Sequence, residues 1–346
     1  MSSEIHPHGV TLRDIGRSLG ISHVTVSLAL RNAPQISATR REQIHEAARR
    51  MGYRPNPMAA ALGQRRSSGK AQPVVAELCW LNHWEQPKEL HHYREFQLYW
   101  KGARETAKWF GYDLEEFLCG PNFNLERLAK VLTARSVPGI LIPPHRELPT
   151  GWDAFPWNQF AVVRFGHSIV RPPVSMVTAD QASNCLLAFE KIRDRGHKRV
   201  GLVTSREVNT RHKAGFLMAQ LGIRAEERVP LLMLEKGEAW PQEIKQLRQW
   251  LKSARPDAIL TDVAPMREML KACGRHVPED IGLAALSVLD GNADAGINQN
   301  AEEIGKAAME MLISLINHNH TGVPKICRQM LIAGHWVDGS TLPGLG

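Results

Sequence analysis

The chain has 346 residues, of which 43% are hydrophobic and 23% charged, with a formal charge of +8. That length exceeds what one core needs, so two or three domains are expected. No apolar run reaches membrane-spanning length; Ile281–Leu289 is among the longest and stops at Asp290. Up to Lys70 there are eleven Lys/Arg against four Asp/Glu, a balance of +7, so the positive charge belongs to a small basic head on a nearly neutral body. Such a head is expected to meet a polyanion, nucleic acid first. Cys79, Cys119, Cys185, Cys273 and Cys327 are scattered, with no CxxC pair, as in reduced cytosolic proteins. The opening MSSEIHPHGV has neither the basic nor the apolar region of a signal peptide, and a cytoplasmic location is expected.

In the head, Thr11 is placed to cap a first helix whose Leu12, Ile15 and Leu19 share one face, and Gly20 ends it. Ser22 is placed to cap a second helix, His23 to Leu30, so close behind that the pair predicts helix-turn-helix geometry. Val26, Ala29 and Leu30 form its inner stripe; His23, Val24, Ser27, Leu28 and Arg31 form the outer one. Two bare aliphatics on an outer stripe suit a major groove, where apolar groups meet thymine methyls. The alternative is that Val24 and Leu28 pack beneath a neighbouring loop. A third helix is expected from about Ser37 to Met51, with Ile44, Ala47, Ala48 and Met51 inward. Arg40, Arg41, Arg49 and Arg50 lie along it within reach of phosphates, and Gly52 is a natural end. Asn56 and Pro57 suit the start of a short segment, Met58 to Leu62, too short to hold as a helix alone in water and expected to order when bound. Gln64 to Gln72 is polar and basic, a linker by composition.

Beyond it, strand-like runs alternate with amphipathic helices. Val74–Leu81 precedes a helix around Tyr99–Phe110; Asp113–Leu118, a helix near Leu125–Ala134 and Gly139–Ile142 follow. The second half repeats the rhythm: Phe160–Phe165, Gln181–Arg195, Val200–Thr204, Arg211–Leu221, Pro230–Leu234, Glu243–Ala254, Ala258–Leu260, Met266–Cys273 and Ile281–Leu286. This alternation predicts an α/β body with parallel sheets behind an all-α head.

Val10-Thr11-Leu12-Arg13-Asp14-Ile15, Gly20-Ile21-Ser22, Thr25-Val26-Ser27 and Gly52-Tyr53-Arg54-Pro55-Asn56 resemble, in order and spacing, the lactose-repressor family of bacterial regulators. More loosely, Gly111-Tyr112, Gly139 to Ile142, Gly196 to Val200, Ala214-Gly215-Phe216, Val277 to Ile281, Gln299 and Glu303-Ile304-Gly305 resemble the periplasmic-binding-protein-like body of that family. The resemblance implies a second helix in the major groove and a hinge helix in the minor groove, where paired leucines wedge a central base step. Leu62 matches the wedge, with Ala59 beside it. It also implies two α/β subdomains joined by three crossovers, a ligand cleft between them and dimerisation through the body. The expected boundaries are 1–63 for the head with its hinge (about 56–63), 64–72 for the linker and 73–346 for the body. Its subdomains are expected at about 73–160 with 291–325, and at about 161–290 with 326–346.

On this resemblance the candidate DNA contacts are Thr11, Ser22, His23, Val24, Thr25, Ser27, Leu28, Arg31, Asn32, Tyr53, Asn56, Ala59 and Leu62. The family commonly has Arg where Leu28 stands, and Leu cannot pair with guanine, so the expected operator differs in its outer bases and is read with more apolar contact. Ala60 replaces a frequent basic hinge residue, which predicts fewer phosphate contacts there. The body departs further: His212 stands where sugar and purine regulators use Arg, and the strand that should lead to an Asp reads Leu286-Ser287-Val288-Leu289, with Asp290 a little later. A Trp/His-rich insert, Trp80 to Trp100, follows the first strand, and either stacks on a flat ligand, covers the body's edge or joins the dimer contact. The candidate effector residues are Trp80, Asp180, His212, Asp262, Ser287 and Gln299.

His91-His92 and His318-Asn319-His320 lack metal-ligand spacing and read as solvated loops. No GxxxxGK[ST], GxGxxG or GxSxG motif appears, so no cofactor is expected and nothing requires an enzyme. The expected function is a ligand-responsive, DNA-binding repressor acting as a homodimer on a pseudo-palindromic operator, with a small carbohydrate or related metabolite as effector. The rivals are a constitutive DNA-binding regulator with no ligand in its cleft, and a solute-binding receptor, against which the basic head argues.

Overall fold

The computed structural model describes residues 10–30, 35–53, 76–119, 124–144, 151–205, 210–234, 240–291 and 293–345. The head is built from α1 (Leu12–Leu19), α2 (His23–Leu30) and α3 (Ala38–Arg50). Thr11 and Asp14 form a reciprocal capping box: the Asp14 amide donates to Thr11 Oγ1 (3.3 Å) and the Thr11 amide to Asp14 Oδ2 (2.9 Å). Gly20 takes φ 64°, which lets the chain turn at once into α2. Gly16 is required by the same turn, because a Cβ there would stand 2.7 Å from the Ile21 carbonyl oxygen. Ile15, Val26, Ala29, Ile44, Ala47 and Ala48 form the head's core, with Leu12, Leu19, Leu30, Met51 and Tyr53 packed against it. Burying each large aliphatic there contributes roughly 1.5–3 kcal/mol.

The body contains two six-stranded sheets. The first has β1 (Ala76–Asn82), β2 (Tyr112–Leu118), β3 (Gly139–Ile142), β4 (Ala161–Phe165), β5 (Ser175–Ala179) and β11 (Gln329–Ile332), in the order β11-β5-β4-β3-β1-β2. The second has β6 (Val200–Ser205), β7 (Leu232–Leu234), β8 (Ala258–Thr261), β9 (Gly282–Ala285), β10 (Gly296–Asn298) and β12 (His335–Val337), in the order β12-β10-β9-β8-β6-β7. Pairing is parallel between β6 and β8, β8 and β9, and β9 and β10, whereas β12 runs antiparallel to β10. Alternation along each strand divides the side chains between the two faces. On β8, Ile259 enters one core while Ala258 and Leu260 enter the other; on β9, Leu283 and Ala285 face the first and Ala284 the second. Both faces are covered, as a parallel sheet requires.

The helices are α4 (Pro87–Leu90), α5 (Arg94–Trp109), α6 (Leu125–Ala134), α7 (Gln181–Asp194), α8 (Thr210–Leu221), α9 (Trp240–Ala254), α10 (Met266–Ala272) and α11 (Ala301–Asn317). Among the described residues no helix is long and apolar enough to cross a membrane. The expected alternation of strand and helix is present. The strands β5, β10, β11 and β12 and the helices α4 and α11 are additional to the elements expected from the sequence.

The chain falls into two compact units. One comprises Met1–Leu90, Ala103–Met176 and Lys306–Gln329; the other comprises His91–Gly102, Val177–Gly305 and Met330–Gly346. These units divide at 176/177, 305/306 and 329/330, where the sequence-based subdomains divide at 160/161, 290/291 and 325/326. The physical reason for the first difference is that β4 pairs with β3 from Gly139↔Ala161 to Ile142↔Arg164, which keeps it in the first sheet. The hinge segment and linker, with Asn56, Ala59, Ala60 and Leu62, lie outside the described residues, as do Arg31 and Asn32.

Candidate nucleic-acid interface and ligand pocket

In the head, the buried side of α2 is Val26 and Ala29, both fully buried. His23 and Val24 are exposed, and Thr25, Ser27 and Leu28 are half-buried. Ser22 begins the helix by accepting the Thr25 amide at 3.1 Å, and its hydroxyl lies 2.9 Å from Thr25 Oγ1. Thr11 is exposed but its hydroxyl is engaged with Asp14 at 2.6 Å. Tyr53 packs on the head's core, and its amide donates to the Ala48 carbonyl. On α3, Arg49 pairs with Glu46 at 2.8 Å while exposed, a contact worth little in water.

The second unit holds a pocket of about 250 Å³ at the C-terminal ends of β8 and β9, where Thr261, Asp262, Leu286 and Ser287 leave the sheet. Ligand crevices in parallel sheets form at these strand ends. His212 enters from α8, Gln299 from beyond β10, and Tyr93 and Glu95 from the segment His91–Gly102. No Lys or Arg lines it among the described residues. Asp262 is fixed by two donors: the Thr204 hydroxyl at 2.8 Å and the Ser205 amide at 3.3 Å. Gln299 is oriented by donating its amide to the Leu286 carbonyl at 2.9 Å. His212 is 2% exposed, and neither ring nitrogen has a hydrogen-bond partner among the described residues. Asp262 Oδ2 is 3.7 Å from His212 Nδ1, beyond hydrogen-bond range. A buried polar group left so is costly, and the pocket is where a ligand's polar atoms can satisfy it.

Asp290 accepts the amides of Arg94 (2.9 Å) and Glu95 (3.3 Å), so it caps α5 from far along the chain. The Ser287 hydroxyl donates to Glu95 Oε1. Burial raises the Glu95 carboxyl to about 7; the Ser287 hydrogen bond opposes that rise, and the nearby Asp290 charge adds to it.

Of the six candidate effector residues, His212, Asp262, Ser287 and Gln299 come together in this pocket. Asp180 is instead the N-cap of α7, accepting the Ser183 amide at 3.1 Å. Trp80 is fully buried on β1 and packs on Phe165, ring centroids 5.3 Å apart. The aromatic part of the insert is core too. Trp84 Nε1 donates to the Pro144 carbonyl at 2.8 Å, and His83 stacks edge-on against Trp152, with burial holding the imidazole down at about 4. The end of the insert does reach the pocket, with the ring of Tyr93 and the carboxyl group of Glu95 both lining it. Glu95 and Thr261 were not singled out from sequence.

Residues 11–56 match the family of bacterial regulatory proteins of lacI type, and residues 189–341 match the periplasmic binding protein-like domain. A transcriptional regulator of Mycolicibacterium smegmatis is 25% identical over 201 residues, 58% of this chain but only 52% of its own length. The transcriptional repressor CytR of Escherichia coli is 24% identical over 352 residues, 93% of this chain and 94% of its own. The regulator CelR, solved with cellobiose, superposes with a TM-score of 0.57 at 18% identity, covering 96% of this chain and 99% of that one. The lac repressor dimer bound to operator and an anti-inducer superposes at 0.55 with 17% identity, covering 96% and 99%. At these identities the structures establish a shared fold. A helix-turn-helix of lacI type thus precedes a periplasmic-binding-protein-like body in this chain.

Proposed function

With a lacI-type helix-turn-helix joined to a periplasmic-binding-protein-like body as the premise, we propose that this protein is a cytoplasmic, sequence-specific transcriptional repressor. It binds a pseudo-palindromic operator as a homodimer and answers to a small-molecule effector. The observation that carries the reading is the division of α2: Val26 and Ala29 hold it to the head, while His23 and Val24 face outward beside a surplus of positive charge. The effector site is the second unit's pocket. His212, buried and without a hydrogen-bond partner among the described residues, together with Thr261, Ser287 and Gln299, suits a hydroxyl-rich ligand such as a small carbohydrate, because an imidazole both donates to and accepts from hydroxyls. The ligand acts by binding one arrangement of the body better than another, which changes the affinity of the paired heads for DNA.

Three experiments test this. Selection of random duplexes on the full-length protein should enrich an inverted repeat, with binding that weakens steeply as salt rises; no enrichment refutes sequence-specific binding. Leu62→Gly should weaken specific binding far more than non-specific binding, and equal losses refute the wedge role of the hinge. For the effector, melting is followed against sugars, sugar phosphates and nucleobases, since a ligand of the native state must raise the melting temperature. The second reading, a constitutive regulator, is favoured by one feature: Ser287, a pocket residue, is already engaged by Glu95.

A further inference from the structure

Over its described span, His23–Leu30, helix α2 (HVTVSLAL) contains no Lys, Arg, Asn or Gln, and Arg31 and Asn32 follow outside the described residues. Those four side chains are the ones that reach guanine and adenine edges with paired hydrogen bonds in the major groove; thymine is met by apolar contact with its C5 methyl. Val24 is 53% exposed and is the one large apolar side chain so exposed among the head's described residues. Leu28 lies four residues on, beside it on the same face of the helix. Val24 and Leu28 are not among the side chains packed on the head's core among the described residues; Val24 is exposed and Leu28 half-buried.

Resting on the regulator reading above, we propose that α2 identifies its half-site through pyrimidine C5 methyl groups, Val24 and Leu28 seating against thymine methyls, with no guanine read by this helix. His23, Thr25 and Ser27 supply single hydrogen bonds that orient the helix without fixing a base pair. The chemistry recognised is a methyl at C5, whichever pyrimidine carries it.

The test alters the DNA, so the protein stays intact. A half-site is first selected from random duplexes, and each thymine is then replaced in turn by deoxyuridine, which removes the methyl and nothing else. At one or two positions per half-site the replacement should weaken binding about fourfold, the scale of one methyl lost from an apolar contact. At those positions 5-methylcytosine opposite guanine should recover much of what plain cytosine loses. Val24→Ala and Leu28→Ala should each shrink the uracil penalty at one position. A uracil scan flat within about twofold, on a site the protein does select, overturns the methyl reading and leaves the regulator standing. Uracil penalties unchanged in both variants also overturn it, since other residues would then read the methyls. Failure to enrich any site overturns the regulator reading itself.

Discussion

Replacing Glu95 by Gln isolates the charge at the centre of the pocket. Gln keeps the volume and an oxygen to accept the Ser287 hydroxyl, but cannot ionise. In the folded protein the Glu95 carboxyl titrates at about 7 against an ordinary 4.5, because burial and the neighbouring Asp290 disfavour its charged form. The folded state therefore holds the proton more tightly than the unfolded chain. The stability this contributes is fully present below pH 4.5, is lost as pH rises toward 7, and changes no further above it. At about 1.4 kcal/mol per pH unit the window sets a ceiling of roughly 3 kcal/mol. Glu95 as a whole residue is only half-buried, so solvent screening reduces the expected value to roughly 1–2 kcal/mol. The assay is thermal unfolding of both proteins from pH 5 to pH 8. The variant's advantage should grow across that range by roughly 2–8 °C, using about 2–4 °C per kcal/mol for a unit of this size. An advantage that does not change with pH, or a wild-type protein that gains stability as pH rises through the window because of Glu95, refutes the account of a buried, destabilised carboxylate.

Three further changes probe the head and the pocket. Gly16→Ala forces a methyl to within 2.7 Å of the Ile21 carbonyl, and should cost the head roughly 1–3 kcal/mol with a matching loss of DNA binding; amide-exchange protection of α1 and α2 that stays at the wild-type level counts against the tight-turn explanation. Asp180→Ala removes the cap of α7 and should lower stability by about 0.5–2 kcal/mol while leaving any ligand-induced rise in melting temperature intact; disappearance of that rise would return Asp180 to the pocket. His212→Phe should abolish the ligand-induced rise while holding or raising the stability of the free protein, since it removes a buried polar ring without a hydrogen-bond partner among the described residues; an undiminished response excludes His212 from recognition.

What could be read from sequence follows the reach of each signal. The head was legible nearly residue by residue because its determinants are local: Thr11 caps with Asp14 three residues on, Ile15 and Val26 keep helical spacing, and Gly20 marks the turn. The body's alternation of strand and helix was legible for the same reason. The subdomain boundaries were not, because a strand's sheet is decided by its partner. Nothing in Phe160–Phe165 announces that β4 pairs with β3, and nothing in Gln329–Ile332 announces a strand beside β5.

The pocket separates the two kinds of information more sharply. His212, Asp262 and Ser287 follow strand ends that the sequence pattern marks, and their convergence follows from the order β6-β8-β9; Gln299 follows β10, the next strand beside β9. Glu95 could not be found that way. It lies at the start of α5, a turn before the helix that the sequence pattern marks around Tyr99–Phe110. The cap of α5 is Asp290, which accepts the Arg94 and Glu95 amides from far along the chain. Asp290, standing a little after the position where the family has a pocket Asp, is the residue that the sequence offers in that role. With both its oxygens committed to helix amides, the carboxyl group that meets Ser287 comes from Glu95 instead. A long-range cap thus lengthens the helix by a turn and carries a new acid into the pocket. The Glu95 titration is consequently a test of the cap as well: Asp290→Ala should loosen the start of α5 and bring the Glu95 carboxyl back toward 4.5, and a carboxyl still near 7 in that variant would show that burial alone, independent of the cap, sets its position.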